Sequence, residues 1–337
     1  MSTTELHLLL PGLLGPVPAQ AARLPELREL PALGTLFSRG RRRTLAPGFE
    51  PALAALFGVR AEQAPVGPVS LIGAGQPAGE GFWFRAAPLH LRADRDRVMA
   101  FGGAMLPVRA AEHAALAEAF NEFFAQDGLS LHVHEGAWFL RSEQAPRLNT
   151  SPLERVLGAY LDAYLPTGED ARAWINRLNE TQMLFHALAL NTEREARGEL
   201  PVNGLWIWGG GRQPERFAAP WDWVYADDTY ARGLAGLGGA AIAPRPRGLP
   251  RAGGRQLLVL DDARRALGSG DMAQWLSALA ALEAQYIAPA LKALGQGEWS
   301  RLVLHTDLGT GRVYSRRDRW RLWRRRKPFG DFPQLQS

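Results

Sequence analysis

Two textures of apolar and polar positions alternate along the 337-residue chain. In the first, short apolar runs end at glycine, proline or charge, which predicts buried strands at Glu5 to Leu10, Leu205 to Trp208, Ala240 to Ala243, Gln256 to Leu260 and Arg301 to Leu304. Helical recurrences lie between them. Leu24 to Phe37 is one, broken at Pro31, and Pro51 to Phe57 opens on a proline. Asp228 to Leu237 is another, and Met272 to Leu294 carries Trp275, Leu279, Leu282 and Tyr286 on one face. Strands alternating with helices predict a mostly parallel α/β sheet with helices on both faces. Ligands in such sheets sit beyond the carboxyl ends of the strands, here Pro11, Gly209 to Gly211, Asp261/Asp262 and Asp307.

The second texture occupies the middle. Ala64 to Gly81 is rich in proline and glycine and predicts a long loop or linker. Strand-like runs follow at Phe82 to Arg85, Leu89 to Leu91, Val98 to Phe101, Leu129 to Val133 and Ala137 to Leu140. A helix over Ala110 to Gln126 places Leu116, Phe120, Phe123 and Phe124 together, and Pro152 to Tyr164 and Glu169 to Leu190 predict two more. The expected organisation is therefore a discontinuous core, 1–80 with 200–337, interrupted by an inserted α+β subdomain at 81–199. The strands from Leu6, Leu205, Gln256 and Arg301 are expected in one core sheet.

Composition narrows the picture only in places. An apolar share of 46% and a charged share of 22% are those of a globular chain. Cysteine is absent, which excludes disulfides and thiolate-bound metals and fits a cytoplasmic protein. The apolar start, Leu6 to Leu14, is shorter than a membrane span, is broken by Pro11 and lacks a basic leader, so no membrane partner is expected. Net charge is +5, and of 39 basic residues only Lys292 and Lys327 are lysines. Arg312 to Lys327 holds nine basic residues against one acid, with Trp320 and Trp323 among them. That mixture suits single-stranded nucleic acid. It equally suits a solvated edge strand with Trp320 and Leu322 turned inward and the arginines guarding the edge.

The stretch from Asn191 to Pro214 carries the densest candidate chemistry. It follows an amphipathic run with Leu178, Met183, His186 and Leu190, and Gly198 and Pro201 end any helix there. A buried strand then feeds Gly209, Gly210 and Gly211, which lets backbone N–H groups approach a ligand without a Cβ in the way. Arg194 and Arg197 offer fork-shaped donors to phosphate or carboxylate. No Lys-Ser/Thr follows the glycines, so this is no nucleotide P-loop, and a mobile turn is the plain alternative. A structural role for Arg194, with Glu193 or Glu180 as partner, is the competing account of that residue.

Asn191, Arg194, Gly198, Pro201, Asn203, Trp206, Gly209 and Gly211 resemble a signature of the archaeal-type cofactor-independent phosphoglycerate mutases, members of the alkaline phosphatase superfamily. The chain is similar also to a bacterial family known as RpfE-type regulatory proteins. There Asn179-Glu180-x-Gln182-Met183 precedes the signature and Pro88-x-His90-Leu91 lies upstream. The resemblance implies an alkaline-phosphatase-like core and a ligand set of Arg194, Asn203, Gly209, Gly210, Gly211, Glu180, His90 and Asp94 for a small phosphorylated or carboxylated molecule. Asp261/Asp262 followed by Gly268-x-Gly270-Asp271, Arg301 to Asp307, and Lys327-Pro328-Phe329 extend it through the C-terminal third.

The departures fall on the metal ligands. Pro11-Gly12 stand where the family has an aspartate, Gly268 and Ser269 where it has a histidine, and Leu308 where another histidine belongs. Ser38 and Ser70 are weak stand-ins for its nucleophile. A phosphoserine route needs two divalent ions, each with several ligands. Asp261, Asp262, His305 and Asp307 are the residual candidates and do not make that set, so loss of the Mn/Mg pair is expected. The His90–Asp94 segment could bind one metal or act as acid and base, or be a strand end entering a charged turn. His132 and His134 read as a solvated strand face, and His186 as structural. The leading expectation is a non-catalytic mutase relative that binds a small phosphorylated or carboxylated ligand in a regulatory role. An enzyme with altered phosphoryl-transfer or hydrolase chemistry and a nucleic-acid-associated protein are the alternatives.

Overall fold

The computed structural model describes residues 4–17, 21, 24–321 and 323–332. It separates into two units, Met1–Gln63 with Arg216–Ser337, and Ala64–Glu215. Strand β1, Glu5–Leu9, opens the first unit with every residue buried. Pro31 starts helix α1, Pro31–Arg39, where its missing N–H costs nothing. Two elements follow: strand β2, Arg41–Pro47, and helix α2, Phe49–Leu56.

The second unit begins with helix α3, Val66–Gly73, in the segment expected to be a loop. Its glycine and proline serve close packing: a Cβ at Gly67 would lie 2.2 Å from the Trp83 carbonyl oxygen. Next come β3, Phe82–Asp94; β4, Arg97–Gly102; α4, Ala110–Phe123; β5, Leu129–His134; and β6, Ala137–Ser142. Helix α5 is one turn, Leu153–Val156, in place of the longer helix expected to Tyr164. The run expected to end at Leu190 splits into α6, Ala171–His186, and α7, Ala189–Ala196, and α6 buries Trp174, Thr181 and Phe185 while Met183 and His186 stay exposed.

Strand β7, Gly204–Gly211, closes this unit and corrects the sequence-based assignment. It pairs antiparallel with β3, Ala86 opposite Ile207, in a five-stranded sheet ordered β4-β3-β6-β5 with β7 on β3. The strand is apolar on both faces. Leu205 and Ile207 join Phe84, Trp138 and Phe185, while Trp206 and Trp208 pack with Leu89, Ala100 and Val156. A run buried on both sides reads the same in a parallel core sheet as here. The intervening unit therefore covers 64–215, not 81–199.

The first unit resumes with β8, Trp223–Tyr225; α8, Thr229–Gly238; β9, Ala241–Ala243; β10, Arg255–Val259; and α9, Asp262–Gly268. Helices α10, Met272–Leu282, and α11, Ala288–Gln296, are joined through a π turn at Glu283–Ile287. Strands β11, Arg301–His305, and β12, Leu308–Ser315, finish a seven-stranded sheet ordered β2-β12-β11-β1-β10-β8-β9. β1 runs parallel to β10 and β11, β10 to β8 and β8 to β9, and only β12 is reversed, pairing antiparallel with β11 on one side and β2 on the other. The fold is thus mixed α/β, and the carboxyl ends of β1, β8, β10 and β11 share one edge. Leu6 and Leu8 face a core with Leu258, Leu304, Trp275 and Leu279, leaving Glu5 and His7 on the opposite face.

Candidate functional site

At the carboxyl edge of the first unit's sheet, β8, β10 and β11 each run into an aspartate, and each of these aspartates finds a partner. Asp228 follows β8 and caps α8, accepting from the Ala231 N–H at 2.9 Å. Arg264 lies 3.8 Å from Asp228 and 3.6 Å from Asp261, and Arg265 lies 3.0 Å from Asp261. Asp262 pairs with Arg245 and stands 3.8 Å from Arg265. Burial pushes the Asp261 carboxyl above its ordinary value, against the pull of Arg265 and Arg264. The Asp307 carboxylate accepts from the Gly12 N–H at 3.0 Å.

Gly12 explains why no aspartate ends β1. Its φ is +74°, and a Cβ there would lie 2.6 Å from the Arg264 backbone nitrogen. The turn is filled by the start of α9, not by a ligand-bearing side chain. Leu308, 42% exposed, brings no donor. Ser269 donates to the Ala266 carbonyl at 2.7 Å, and Gly268 has open space beside it. Among the described residues no group of three or more His, Asp or Glu is placed to hold a metal ion. The residual candidates Asp261, Asp262, His305 and Asp307 thus do not fit a two-metal centre.

His305 is drawn elsewhere. One of its ring nitrogens shares a 3.0 Å hydrogen bond with His7, and the other, Nδ1, is buried with no hydrogen-bond partner. His7 reaches Glu5 at 3.3 Å, and Glu5 pairs with Arg301 at 2.8 Å and Arg255 at 3.3 Å. Burial, then Arg255, Arg43 and Arg301, lowers His7 to about 3. Burial and His7 hold His305 well below its ordinary value. Both imidazoles are therefore neutral at pH 7. The sequence signal was available, since alternation along β1 sets Glu5 and His7 on one face.

The signature segment belongs wholly to the second unit, and its polar groups are used internally. Arg194 is fully buried on α7. It donates to Glu112 at 2.6 Å, to the Leu200 carbonyl at 2.8 Å and to the Pro107 carbonyl at 3.0 Å. Glu112 also takes the Arg109 N–H at 2.8 Å and Arg197 at 2.7 Å. Burial alone would raise the Glu112 carboxyl, but the Arg109 N–H and the Arg194 charge outweigh it and leave it below its ordinary value. Arg109 and then Arg197 hold Glu199 down to about 2. The partner of Arg194 is thus neither Glu193 nor Glu180, and Glu180 is exposed on α6.

The remaining signature positions are braces. Asn191 bonds Val202 through both ends of its amide, at 2.8 and 2.9 Å. Asn203 does the same to Leu91, at 2.6 and 3.0 Å. Cβ atoms at Gly209, Gly210 and Gly211 would lie 2.4 Å from Val66, 2.3 Å from Phe84 and 2.4 Å from Pro65. These glycines admit neighbouring side chains, not a phosphate. His90 bonds the Pro201 carbonyl at 2.9 Å, and Asp94 accepts from the Tyr160 hydroxyl at 2.8 Å beside an open depression of about 520 Å³ at Asp94–Arg97. The structure does not bring His90, Asp94, Glu180 and Arg194 together into one ligand set. Ser70 is buried in α3 and Ser38 accepts from the Lys327 N–H at 3.0 Å, so neither is a strand-end nucleophile.

No family model matches the chain. It is 24% identical over 209 residues to a probable 2,3-bisphosphoglycerate-independent phosphoglycerate mutase of Geobacter sulfurreducens, covering 59% of this chain and 52% of that one. It is 28% identical over 65 residues to the corresponding mutase of Methanosarcina mazei, 19% of this chain and 16% of the other. The chain is similar to these mutases over part of its length. It spans about half the length of the Geobacter relative. The PH0037 protein of Pyrococcus horikoshii shares the fold, with a TM-score of 0.52 at 14% identity over 94% of this chain and 88% of that one. No helix among the described residues is long and apolar enough to cross a membrane.

Proposed function

We propose that this chain is a phosphoglycerate-mutase-like protein that has given up two-metal phosphoryl transfer and serves a regulatory, ligand-binding role of the RpfE type. One observation carries the reading: Asp228, Asp261 and Asp262, at the strand ends where metals would be held, are each ion-paired to arginine. Arginine supplies the positive charge there that divalent ions would otherwise provide. The ligand is a small phosphorylated or carboxylated acid, and its donors are Arg245, Arg264 and Arg265, not Arg194. Arg265 is the most accessible of the three, 56% exposed at its side chain. A guanidinium holds such an anion through paired N–H donors.

The test combines turnover and melting. With manganese, cobalt or magnesium, no interconversion of 3- and 2-phosphoglycerate is expected, and the metals alone leave the melting temperature unchanged. Phosphorylated acids raise it without metal, because a ligand that binds only the folded state stabilises it. Arg265→Ala removes that rise. Turnover abolished by a chelator and restored by metal would overturn the reading.

A further inference from the structure

The basic tail and a second basic run far from it in sequence form one surface in the first unit. Arg39 donates to the Arg319 carbonyl at 3.3 Å and the Arg324 carbonyl at 3.4 Å, and Arg321 donates back to the Arg39 carbonyl at 3.2 Å. Arg41–Arg43 continue from there along β2, the edge strand of the sheet, all three exposed. Arg324–Lys327 are exposed as well. The tail is not the edge strand that alternation suggests: Arg316–Trp320 is a 3-10 helix, and Leu322 lies outside the described residues.

The charge of this surface is left unbalanced. The one acid within the two runs, Asp318, is buried and taken by the Ser315 N–H at 2.9 Å and by Arg321 at 3.1 Å, and the carboxylate that acts on Arg326, Glu283, is buried and accepts from the Ala32 and Leu33 N–H groups. Among the described residues neither Arg41–Arg43 nor Arg324–Lys327 forms an ion pair. Arg312 lies beneath, 2% exposed, its guanidinium over the Phe37 ring at 4.5 Å and its Nε without a hydrogen-bond partner. Burial and the neighbouring Arg42 lower it to about 10. A buried cation held without a carboxylate costs free energy that a polyanion alongside would offset.

The same surface displays aromatic faces. Trp320 is 63% exposed and Trp323 77% exposed, with the Arg319 guanidinium 4.7 Å from the Trp320 ring centroid. Tryptophan is ordinarily buried for its area, so two presented to water among arginines call for a flat partner. Phosphates alone would need the arginines but not the rings, and a duplex hides its base faces. A backbone of regular negative charge carrying unstacked bases satisfies both. We propose that Arg41–Arg43, Arg316–Arg321 and Trp323–Lys327 form a binding surface for single-stranded nucleic acid, with Trp320 and Trp323 as stacking platforms. The strand-end carboxylates take no part in it.

The test is fluorescence anisotropy of the full chain with a labelled thymidylate oligomer of about twenty nucleotides, titrated across salt concentrations. The logarithm of affinity should fall with that of salt by roughly 0.7 per phosphate contacted. Trp320→Ala with Trp323→Ala should weaken binding on the order of tenfold and leave that slope unchanged, since stacking releases no counterions. Arg41→Ser, Arg42→Ser and Arg43→Ser together should reduce the slope by about 2. These side chains are exposed, so far-UV circular dichroism should match the wild type. Absence of binding at low salt overturns the proposal. Equal affinity for heparin or duplex with the tryptophan variants indifferent also overturns it, and so does binding to anionic vesicles but not to the oligomer.

Discussion

Each unit holds carboxylates between arginines, and the two arrangements differ in what they leave free. In the second unit, Glu112 receives Arg194, Arg197 and the Arg109 N–H, and Arg194 spends its remaining donors on two carbonyls. That cluster is closed at Arg194, which is fully buried, with Arg109 and Arg197 exposed at its rim. In the first unit, Asp261 and Asp262 meet arginines whose side chains remain 23 to 56% exposed. Those donors can exchange an internal carboxylate for an incoming one. A signature that resembles a ligand site can thus be tertiary bracing, while the edge that lacks the signature keeps the accessible charge. The matched residues of a motif report shared ancestry of structure before they report shared chemistry.

The largest effect should separate the two clusters at once. Arg194→Ala should destabilise the protein by roughly 3–5 kcal/mol in denaturant titration, because it takes a buried ion-pair partner from Glu112 and the donors from two carbonyls. A loss below about 1 kcal/mol would mean that the cluster is not closed.

Acid should then resolve the units by where each begins to fail. His7 has a folded value of about 3 against 6.5 unfolded, so its contribution is present above 6.5 and declines as pH falls from there toward 3. Each unit of that difference is worth about 1.4 kcal/mol. In the second unit burial lowers His113 and His132 less far than His7, and Glu112 is lowered from 4.5, so that unit loses less stability between pH 6.5 and 4.5. Hydrogen exchange at pH 7, 5.5 and 4 should show β1 and β11 losing protection before α4 and α7. His7→Gln should flatten the limb between 6.5 and 4. Simultaneous loss in both units would contradict the comparison.

Gly12→Asp places a carboxylate in the turn that follows β1. It should not create a metal site. The positive φ and the 2.6 Å approach to Arg264 should cost about 1–3 kcal/mol, read as a lower denaturation midpoint. Manganese-dependent recovery of that loss would show that the edge still accommodates a metal.

Arg265→Ala should matter least, under about 1 kcal/mol, because an exposed guanidinium contributes little to stability. The contrast with Arg194→Ala is the sharpest statement of the difference between the two clusters.

Local pattern carried much of the fold. The short apolar runs of β1, β10 and β11, the cap and apolar face of α8, and the Trp275–Tyr286 face of α10 and its π turn are written in spacings a few residues long. Other features depended on partners distant in sequence. Arg41–Arg43 carry no alternation of apolar and polar positions, and only pairing with β12 makes them a strand. The Leu205 run is apolar on both faces, so nothing within it chooses between sheets, and β3 settles the matter by offering an open edge. Arg194 meets a carboxylate 82 positions away, past nearer acids at 193 and 180. Spacing fixes which way a side chain points within its own element, because the backbone periods are local. Which charge it meets is decided by packing, because burial makes an unpaired guanidinium too costly to leave, and the nearest carboxylate in space need not be near in the chain.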